Sequence, residues 1–331
     1  MRAVKPAQGP PLLKPEIIER LQEIMKHETA GDPITGLKWT RRTTAKVAAE
    51  LRLLGIDVSA NTVAKLLKKM GFSLRVNHKK KSNGSPKNRD AQFVRIGALR
   101  QQFAAAGKPI ISVDAKKREQ VGEFKNPGKS WEKKAVEVND HDYRSLASGI
   151  GIPYGIYDTQ ANCGTVYVGT SSDTSEFAVD SIEKWWRQEG AKRYPEAQEL
   201  LILADGGGSN GSNRRAWKHY LQCSLCNRHN LTVTVAHYPP GTSKWNLIEH
   251  RLFSEITKNW AGRPLDSYET ILKYIRTTKT STGLRVRSHL VRKQYQKGIK
   301  IADDEMKQIC ITKDNSLPKW NYTICPVETR D

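Results

Sequence analysis

What this 331-residue sequence lacks narrows its reading quickly. No run of about 18 apolar residues occurs, and MRAVKPAQGPPLLKPE at the N-terminus has no apolar core of the signal-peptide kind. No membrane segment is expected, and the expected location is cytoplasmic. Cysteine is scarce and odd in number, five residues spread along the chain, which argues against a disulfide framework. Cys223, Cys226 and His229 have a C-x-x-C-x-x-H spacing that zinc uses, but no second pair stands at finger distance, and Cys310 and Cys325 are remote. Reduced, partly buried thiols are the expectation.

Acid is the other deficit. Asp and Glu number 34 against 55 Lys and Arg, a formal charge of +21. A globular chain so unbalanced is expected to partner a polyanion, because each neutralised phosphate releases counterions; the alternative is charge kept for solubility. The shortage is local as well. No acidic residue occurs between Asp205 and Glu249, and none from Arg276 to Lys300.

That first gap decides how to read LLILADGGGSNGSN, Leu200 to Asn213, with its G-x-G-x-x-G at Gly206, Gly208 and Gly211. A dinucleotide site needs an acid about twenty positions on, at the end of the next strand, to hold ribose hydroxyls. None is present. Asp205 also abuts the first glycine, where its charge would repel a pyrophosphate unless a divalent cation lay between. No G-K-[ST] follows, so a P-loop fails too, and no nucleotide cofactor is expected.

Toward the N-terminus, Ile17, Ile18, Leu21, Ile24 and Met25 recur at helical spacing between Lys14 and His27. A helix then fits Thr43 to Leu54, closed by Gly55, and a second fits Ser59, its N-cap, to Met70, stopped by Gly71. Two helices of that length around a short Gly-bearing turn predict an all-α helix-turn-helix domain. In the second helix Val63, Leu66, Leu67 and Met70 form the apolar stripe. Asn61, Thr62, Lys65, Lys68 and Lys69 then face outward, a set suited to base edges and phosphates in a DNA major groove. An ordinary αα-hairpin with a solvated basic face is the alternative. RVNHKKKSNGSPKN follows, carrying Arg75, Lys79, Lys80 and Lys81 without an acid, and reads as a basic linker along a phosphate backbone.

The middle of the chain alternates strands and helices. After a helix at Asp90 to Ala105, the run IISVD ends on Asp114. Extended runs follow at Gln120 to Phe124 and Gly155 to Gly169, the second breaking like a hairpin at Asn162 and Gly164. A helix capped near Ser175, the buried strand LLILAD, a helix, the strand LTVTVAHY and a helix capped by Ser243 complete the series. That order predicts the α/β class, a mixed sheet with helices on its faces and ligands near the carboxyl ends of strands.

Three carboxylates stand at such ends. Asp114 and Asp205 each close a strand, and Glu249 lies just inside the helix after a third. Oxygen ligands from three elements make the hard, incompletely protein-ligated site that Mg²⁺ prefers when it also binds phosphates. Two such ions can serve a phosphodiester displacement. The alternatives are a turn cap for Asp205, a surface ion pair for Asp114 and a solvated helix residue for Glu249. Glu255 points to roughly the opposite helix face.

ISVDAKK, ADGGGSNGSN and HYPPGTSKWNLIEHRLFSEI resemble the ISAzo-thirteen family of bacterial insertion-sequence transposases, a DDE group with an RNase H-like catalytic fold. The last segment is also similar to the P-x-x-NPIE signature of mariner-type transposases. The resemblance, from about Trp39 to about Ile301, implies Asp114, Asp205 and Glu249 as the catalytic, metal-binding triad, with two Mg²⁺ or Mn²⁺ ions per site. It implies cleavage at transposon ends, attack of the exposed 3′-hydroxyl on target DNA, and a homo-oligomer on double-stranded DNA bearing terminal inverted repeats, at the nucleoid. It also implies a longer region ahead of the first helix than this sequence shows. A non-catalytic DNA-binding derivative acting as a repressor and an RNase H-like nuclease are the alternative functions.

Further roles follow for the surroundings. Gly206 to Gly208 let a DNA backbone approach Asp205. Asn210, Asn213 and Lys244 are candidates to bind phosphate, and His237 either positions the scissile phosphate or packs at a strand end. Trp245 either stacks on a base or, as expected, is buried against the sheet. The acid-free stretch holding Arg285, Arg287, Arg292 and Lys293 reads as a second DNA surface, with a solvated basic tail as its alternative. The expected organisation is therefore 1–75 helix-turn-helix, 76–108 basic linker and helix, 109–262 catalytic domain and 263–331 basic C-terminal region.

Overall fold

In the computed structural model of the chain, the described residues are 15–27, 30–31, 38–39, 43–72, 88–129 and 132–327. Two compact units result, Met1–Lys81 and Ser82–Asp331. Arg75, Lys79, Lys80 and Lys81 lie outside the described residues.

The first unit holds α1 (Pro15–His27), a minimal antiparallel pair of β1 (Ala30–Gly31) and β2 (Lys38–Trp39), α2 (Thr44–Leu53) and α3 (Ala60–Lys69). Thr43 and Ser59 cap α2 and α3, their hydroxyls accepting from the backbone N–H of Lys46 and Thr62. Leu21, Val47, Leu51, Val58, Val63 and Leu66 make a small core. Burying Val63 and Leu66 leaves Asn61, Lys65, Lys68 and Lys69 exposed on α3. Thr62 is half-buried, and its hydroxyl bonds Ser59 at 2.9 Å.

The second unit opens with α4 (Arg89–Ala105), β3 (Ile110–Ala115), β4 (Glu119–Val121), β5 (Gly149–Asp158) and β6 (Cys163–Gly169). There follow α5 (Ser175–Trp185), α6 (Ala191–Arg193), β7 (Glu199–Asp205), α7 (Arg215–Tyr220), α8 (Asn227–His229) and β8 (Thr232–Tyr238). Last come α9 (Ser254–Asn259), α10 (Tyr268–Arg276), β9 (Arg285–Val291), α11 (Asp303–Lys307), β10 (Ile311–Lys313) and β11 (Asn321–Ile324). Nine of these strands form one sheet in the order β10-β11-β8-β7-β3-β5-β6-β9, with β4 also paired to β5. β3, β7 and β8 run parallel, β5 is antiparallel to both β3 and β6, and β9 is parallel to β6. This is the RNase H-like mixed sheet flanked by helices that the resemblance implies.

Strand β7 shows why its sequence is a continuous apolar run. Leu200, Ile202 and Ala204 pack on one face with Phe177 of α5 and Trp217 of α7. Leu201 and Leu203 pack on the other face with Ile96, Leu99 and Phe103 of α4. A strand covered on both sides has no polar period to show.

The cap of α5 does fall near Ser175, on Thr174, which accepts from Phe177 N. Other local expectations change. Ser243 caps no helix: Ser243–Trp245 is a single tight turn, and the wide helical turn Glu249–Phe253 runs on into α9. Residues beyond 262 are not set apart from the sheet, because β9 pairs with β6 and β11 with β8. RVRSHLV opens with a strand's period of two, Val286 and Ser288 buried and Arg285 and Arg287 exposed, but its charge conceals the pattern.

Gly155 on β5 sits opposite Asp114 in the register. A Cβ there would lie 2.6 Å from the Phe253 ring and 2.8 Å from Ile248, so only glycine lets the helical turn carrying Glu249 lie against the sheet. Gly155→Ala is expected to destabilise the chain by about 1–3 kcal/mol through overpacking, read as a lower urea midpoint at unchanged slope.

Candidate active site

Register brings the first two carboxylates together. The parallel ladder of β3 and β7 pairs Ile110 with Leu201 and ends at Val113 opposite Ala204. Asp114 and Asp205 are the next residue on each strand. Ile111 and Val113, like Leu200, Ile202 and Ala204, point to the α5 face. By alternation both aspartates point to the opposite face, where α4 and the Glu249 turn pack.

A buried amide secures that arrangement. Asn246, fully buried, donates from Nδ2 to Asp205 Oδ1 at 3.1 Å and to the Val113 carbonyl at 3.3 Å. Its Oδ1 accepts from Ser112 Oγ at 2.5 Å, and Ser112 Oγ accepts in turn from Ile248 N at 3.1 Å. Asn246 therefore ties β3 and β7 to the segment that delivers Glu249. The sequence reading missed both residues. Their signals are a lone serine inside IISVD and the asparagine of KWNLIE.

Burial raises all three acids. Burial, then the charge of Asp205, pushes Asp114 up to about 8, with Glu249 and Asp173 adding to the rise and the Ala115 N–H opposing it. Burial raises Asp205, opposed by the Asn246 hydrogen bond. Burial and Asp205 raise Glu249, while Lys116 and His250 counter. Lys116 is fixed by Glu119 at 2.8 Å and by the Trp260 ring at 4.5 Å.

Such a group of hard oxygens, each resisting ionisation through burial and two of them also through the charge of Asp205, fits a divalent cation. Among the described residues no three His, Cys, Asp or Glu side chains are close enough to enclose an ion by themselves. Mg²⁺ bound to phosphates needs only one or two carboxylates at a time. The zinc spacing does not converge either. Cys226 is buried with Sγ toward the Ile324 carbonyl, His229 bonds Glu183 at 3.2 Å, and Cys223 is exposed.

Other expected residues are sorted by burial. His237 is fully buried; it donates from Nδ1 to the Asp205 carbonyl and accepts at Nε2 from Tyr322, both at 3.0 Å. Burial lowers it to about 4, so it is a neutral brace behind Asp205, out of reach of a phosphate. Asn210 is also buried, its Oδ1 accepting from Tyr154 and Ser209, which removes it from the phosphate-binding set. Lys244 and Asn213 are exposed. Trp245 is 54% exposed, against the expectation of burial, with Phe93 edge-on to its ring and Lys244 Nζ 5.4 Å over it. Arg285, Arg287 and Arg292 are exposed, whereas Lys293 is held by Glu176 and Asp180, each at 2.8 Å.

Asp114 yields a pH test. With a folded pKa of about 8 against an ordinary value of 3.8, it keeps a proton in the folded state that the unfolded chain has lost. Its contribution is therefore fully present below pH 3.8 and lost as pH rises through about 8. In metal-free buffer the melting temperature of Asp114→Asn minus that of wild type is expected to grow across this window, as followed by circular dichroism.

The sequence matches the Rhodopirellula transposase DDE domain family over residues 20–326. No curated protein matches it significantly. Among solved structures, the chain is similar to a Mos1 transposase paired-end complex with left transposon end, at 15% identity over 82% of this chain and 73% of that chain, TM-score 0.43. It is similar also to a Mos1 Strand Transfer Complex, at 16% identity over 82% and 72%, TM-score 0.41. A mariner Mos1 paired end complex with Mn gives 15% identity over 82% and 73%, TM-score 0.40. The family match takes in Asp114, Asp205 and Glu249 together with the elements that hold them, and the chain belongs to this family of DDE transposases, metal-dependent enzymes of DNA transposition.

Proposed function

We propose that this chain is the transposase of a bacterial insertion sequence, cleaving phosphodiester bonds at the element's terminal inverted repeats and joining the freed 3′-hydroxyl to target DNA. The observation that carries this reading is the convergence of Asp114 and Asp205, adjacent on one sheet face, with Glu249 held beside them through Ser112 and Asn246. Two Mg²⁺ or Mn²⁺ ions would supply activation of the attacking oxygen and stabilisation of the leaving one. Asp114, Asp205 and Glu249 would hold them.

The chain's own residues do the rest. Asn246 keeps Asp205 pointed at the reacting face, and Lys116 favours the charged form of Glu249. Gly208, at φ +70, and Gly207, with open space around it, turn the chain away from Asp205 so that a DNA backbone can approach. Lys244 supplies charge beside the site. Trp245 offers an exposed ring for an unpaired base. Asn61, Lys65, Lys68 and Lys69 on α3 read a terminal repeat, with Thr62 supporting the helix start, and Arg285, Arg287 and Arg292 bind phosphates elsewhere on the duplex. The enzyme works at the nucleoid as a homo-oligomer that holds two ends.

Incubation with Mg²⁺ or Mn²⁺ and the element's own termini is expected to give strand cleavage and joining. Asp205→Ala and Glu249→Gln should abolish both while leaving end binding intact in a gel shift. Binding without cleavage under either metal would instead mark a repressor, and cutting without joining a nuclease. Lys65→Ala and Lys68→Ala are each expected to weaken binding about equally on all sequences and to lower the salt dependence, whereas Asn61→Ala should relax sequence preference.

A further inference from the structure

We propose that the cleft between the turn after Asp205 and the loop after β9 is a track for single-stranded DNA, holding an unpaired stretch of the substrate at the catalytic end of the sheet. The proposal rests on the transposase reading above and adds a binding surface to it.

Strand direction places the cleft. Strand β5 opposes both β3 and β6, and β9 is parallel to β6, so β3, β6, β7 and β9 all run the same way. The segments that leave β6, β7 and β9 therefore gather at the end of the sheet where Asp114 and Asp205 stand. They enclose a cavity of about 840 Å³, lined by Thr174 after β6, by Gly208, Asn213 and Arg214 after β7, and by Lys297 and Lys300 after β9. It holds none of the three carboxylates and is a surface of its own.

The walls are fastened. Ser175 Oγ donates to the Ser209 carbonyl at 2.6 Å. Lys293 is held by Glu176 and Asp180, and Tyr295 donates to Asp180 at 3.0 Å, which anchors the start of the loop after β9. Its far end is anchored by Arg215, which pairs with Asp303 and donates to the Ile301 carbonyl at 3.1 Å. Residues 296–300, between those anchors, are all exposed.

The lining has cations to spare. Glu176 and Asp303 are neutralised by Lys293 and Arg215, which leaves Asp173 as the lining acid without a cation among the described residues. Arg214, Lys297 and Lys300 are exposed, and their side chains make no ion pair or hydrogen bond among the described residues. Three such cations against one acid suit a polyanion. The apolar part of the lining decides which one. Ile299 is 41% exposed, and Tyr220, half-buried, adds an aromatic ring. A duplex keeps its bases stacked inside and offers its backbone charge alone, whereas a single strand offers base faces together with phosphates. The volume agrees, lying within the range of about 300–1,000 Å³ that encloses a small organic ligand, too small for a double helix and matched to a short unpaired stretch.

The test is fluorescence anisotropy of the full chain in metal-free buffer with two labelled probes, a short oligothymidylate and the duplex terminal repeat. Lys297→Ala combined with Lys300→Ala is expected to weaken single-strand binding by about 10-fold and to lower its salt slope by about 1.4, at about 0.7 per lysine, while duplex affinity stays within about 2-fold of wild type. Tyr220→Ala is expected to weaken single-strand binding by about 5–100-fold at unchanged salt slope, and Tyr220→Phe, which keeps the ring, to bind like wild type. Ultraviolet cross-linking of a bromodeoxyuridine oligonucleotide should place adducts on Tyr220 or within residues 296–301. Unchanged single-strand affinity in the lysine variant, an equal loss on the duplex, or displacement of the oligonucleotide by polyglutamate as readily as by competitor DNA would overturn the proposal. If wild type binds the duplex alone, only the cleft assignment fails; if it binds neither probe, the transposase reading fails with it.

Discussion

The side chain of Asn246 is the fastening on which the rest of the site depends. One amide joins β7 through Asp205, β3 through the Val113 carbonyl and Ser112, and through its own backbone the segment leading to Glu249. Each of its bonds is made inside the protein, where a hydrogen bond is strong and an unmade one costly. That requirement reshapes the local chain. Asn246 is drawn down onto the strands in an extended conformation, ψ 125, so no helix can start at Ser243. Helical structure resumes beyond it, and Glu249 falls at the start of a wide turn over Gly155.

Around this fastening the fold gathers charge of one sign within a chain of the other. A net charge of +21 draws a polyanion to the surface as a whole. The recess at the ends of β3 and β7 is acidic: burial raises all three carboxylates, and the charge of Asp205 raises Asp114 and Glu249 further. Without a cation the arrangement is strained electrostatically, which is the usual condition of a site built for function rather than stability. The braces behind it are neutral. His237, uncharged, bonds the Asp205 backbone, and Tyr322 takes a hydrogen bond from Trp217 at 2.8 Å while donating to His237. Rigidity is thus supplied without adding positive charge that would compete with a metal ion.

Legibility in the sequence followed the strength of local pattern. Strand β7 was readable because burial on both faces leaves an uninterrupted apolar run, and β8 because its β-branched threonines and valines alternate with a strand's period. The first unit was readable because Thr43 and Ser59 cap helices whose apolar stripes keep their period. Strand β9 was hidden by arginines on its exposed face, and β11 by its brevity, four residues that acquire meaning only as partners of Val233 to Ala236. Within the site the carboxylates at strand ends were visible, since an acid after an apolar run needs a reason. Ser112 and Asn246 were not, because each acts through partners remote in the chain.

The sequence by itself determined the chemistry available: a basic chain, hard oxygen donors at strand ends, and a glycine turn without the acid that a nucleotide would need. Tertiary structure decided which of those groups meet. Asn210 and His237 were withdrawn into the interior, where desolvation and satisfied hydrogen bonds keep them from any phosphate, while Trp245 was left exposed. Asp114 and Asp205 became neighbours through the parallel register of β3 and β7, and Glu249 joined them through a buried amide. The physical reason is that composition and period are local properties, whereas register, burial and the pairing of polar groups exist only once distant segments share one sheet.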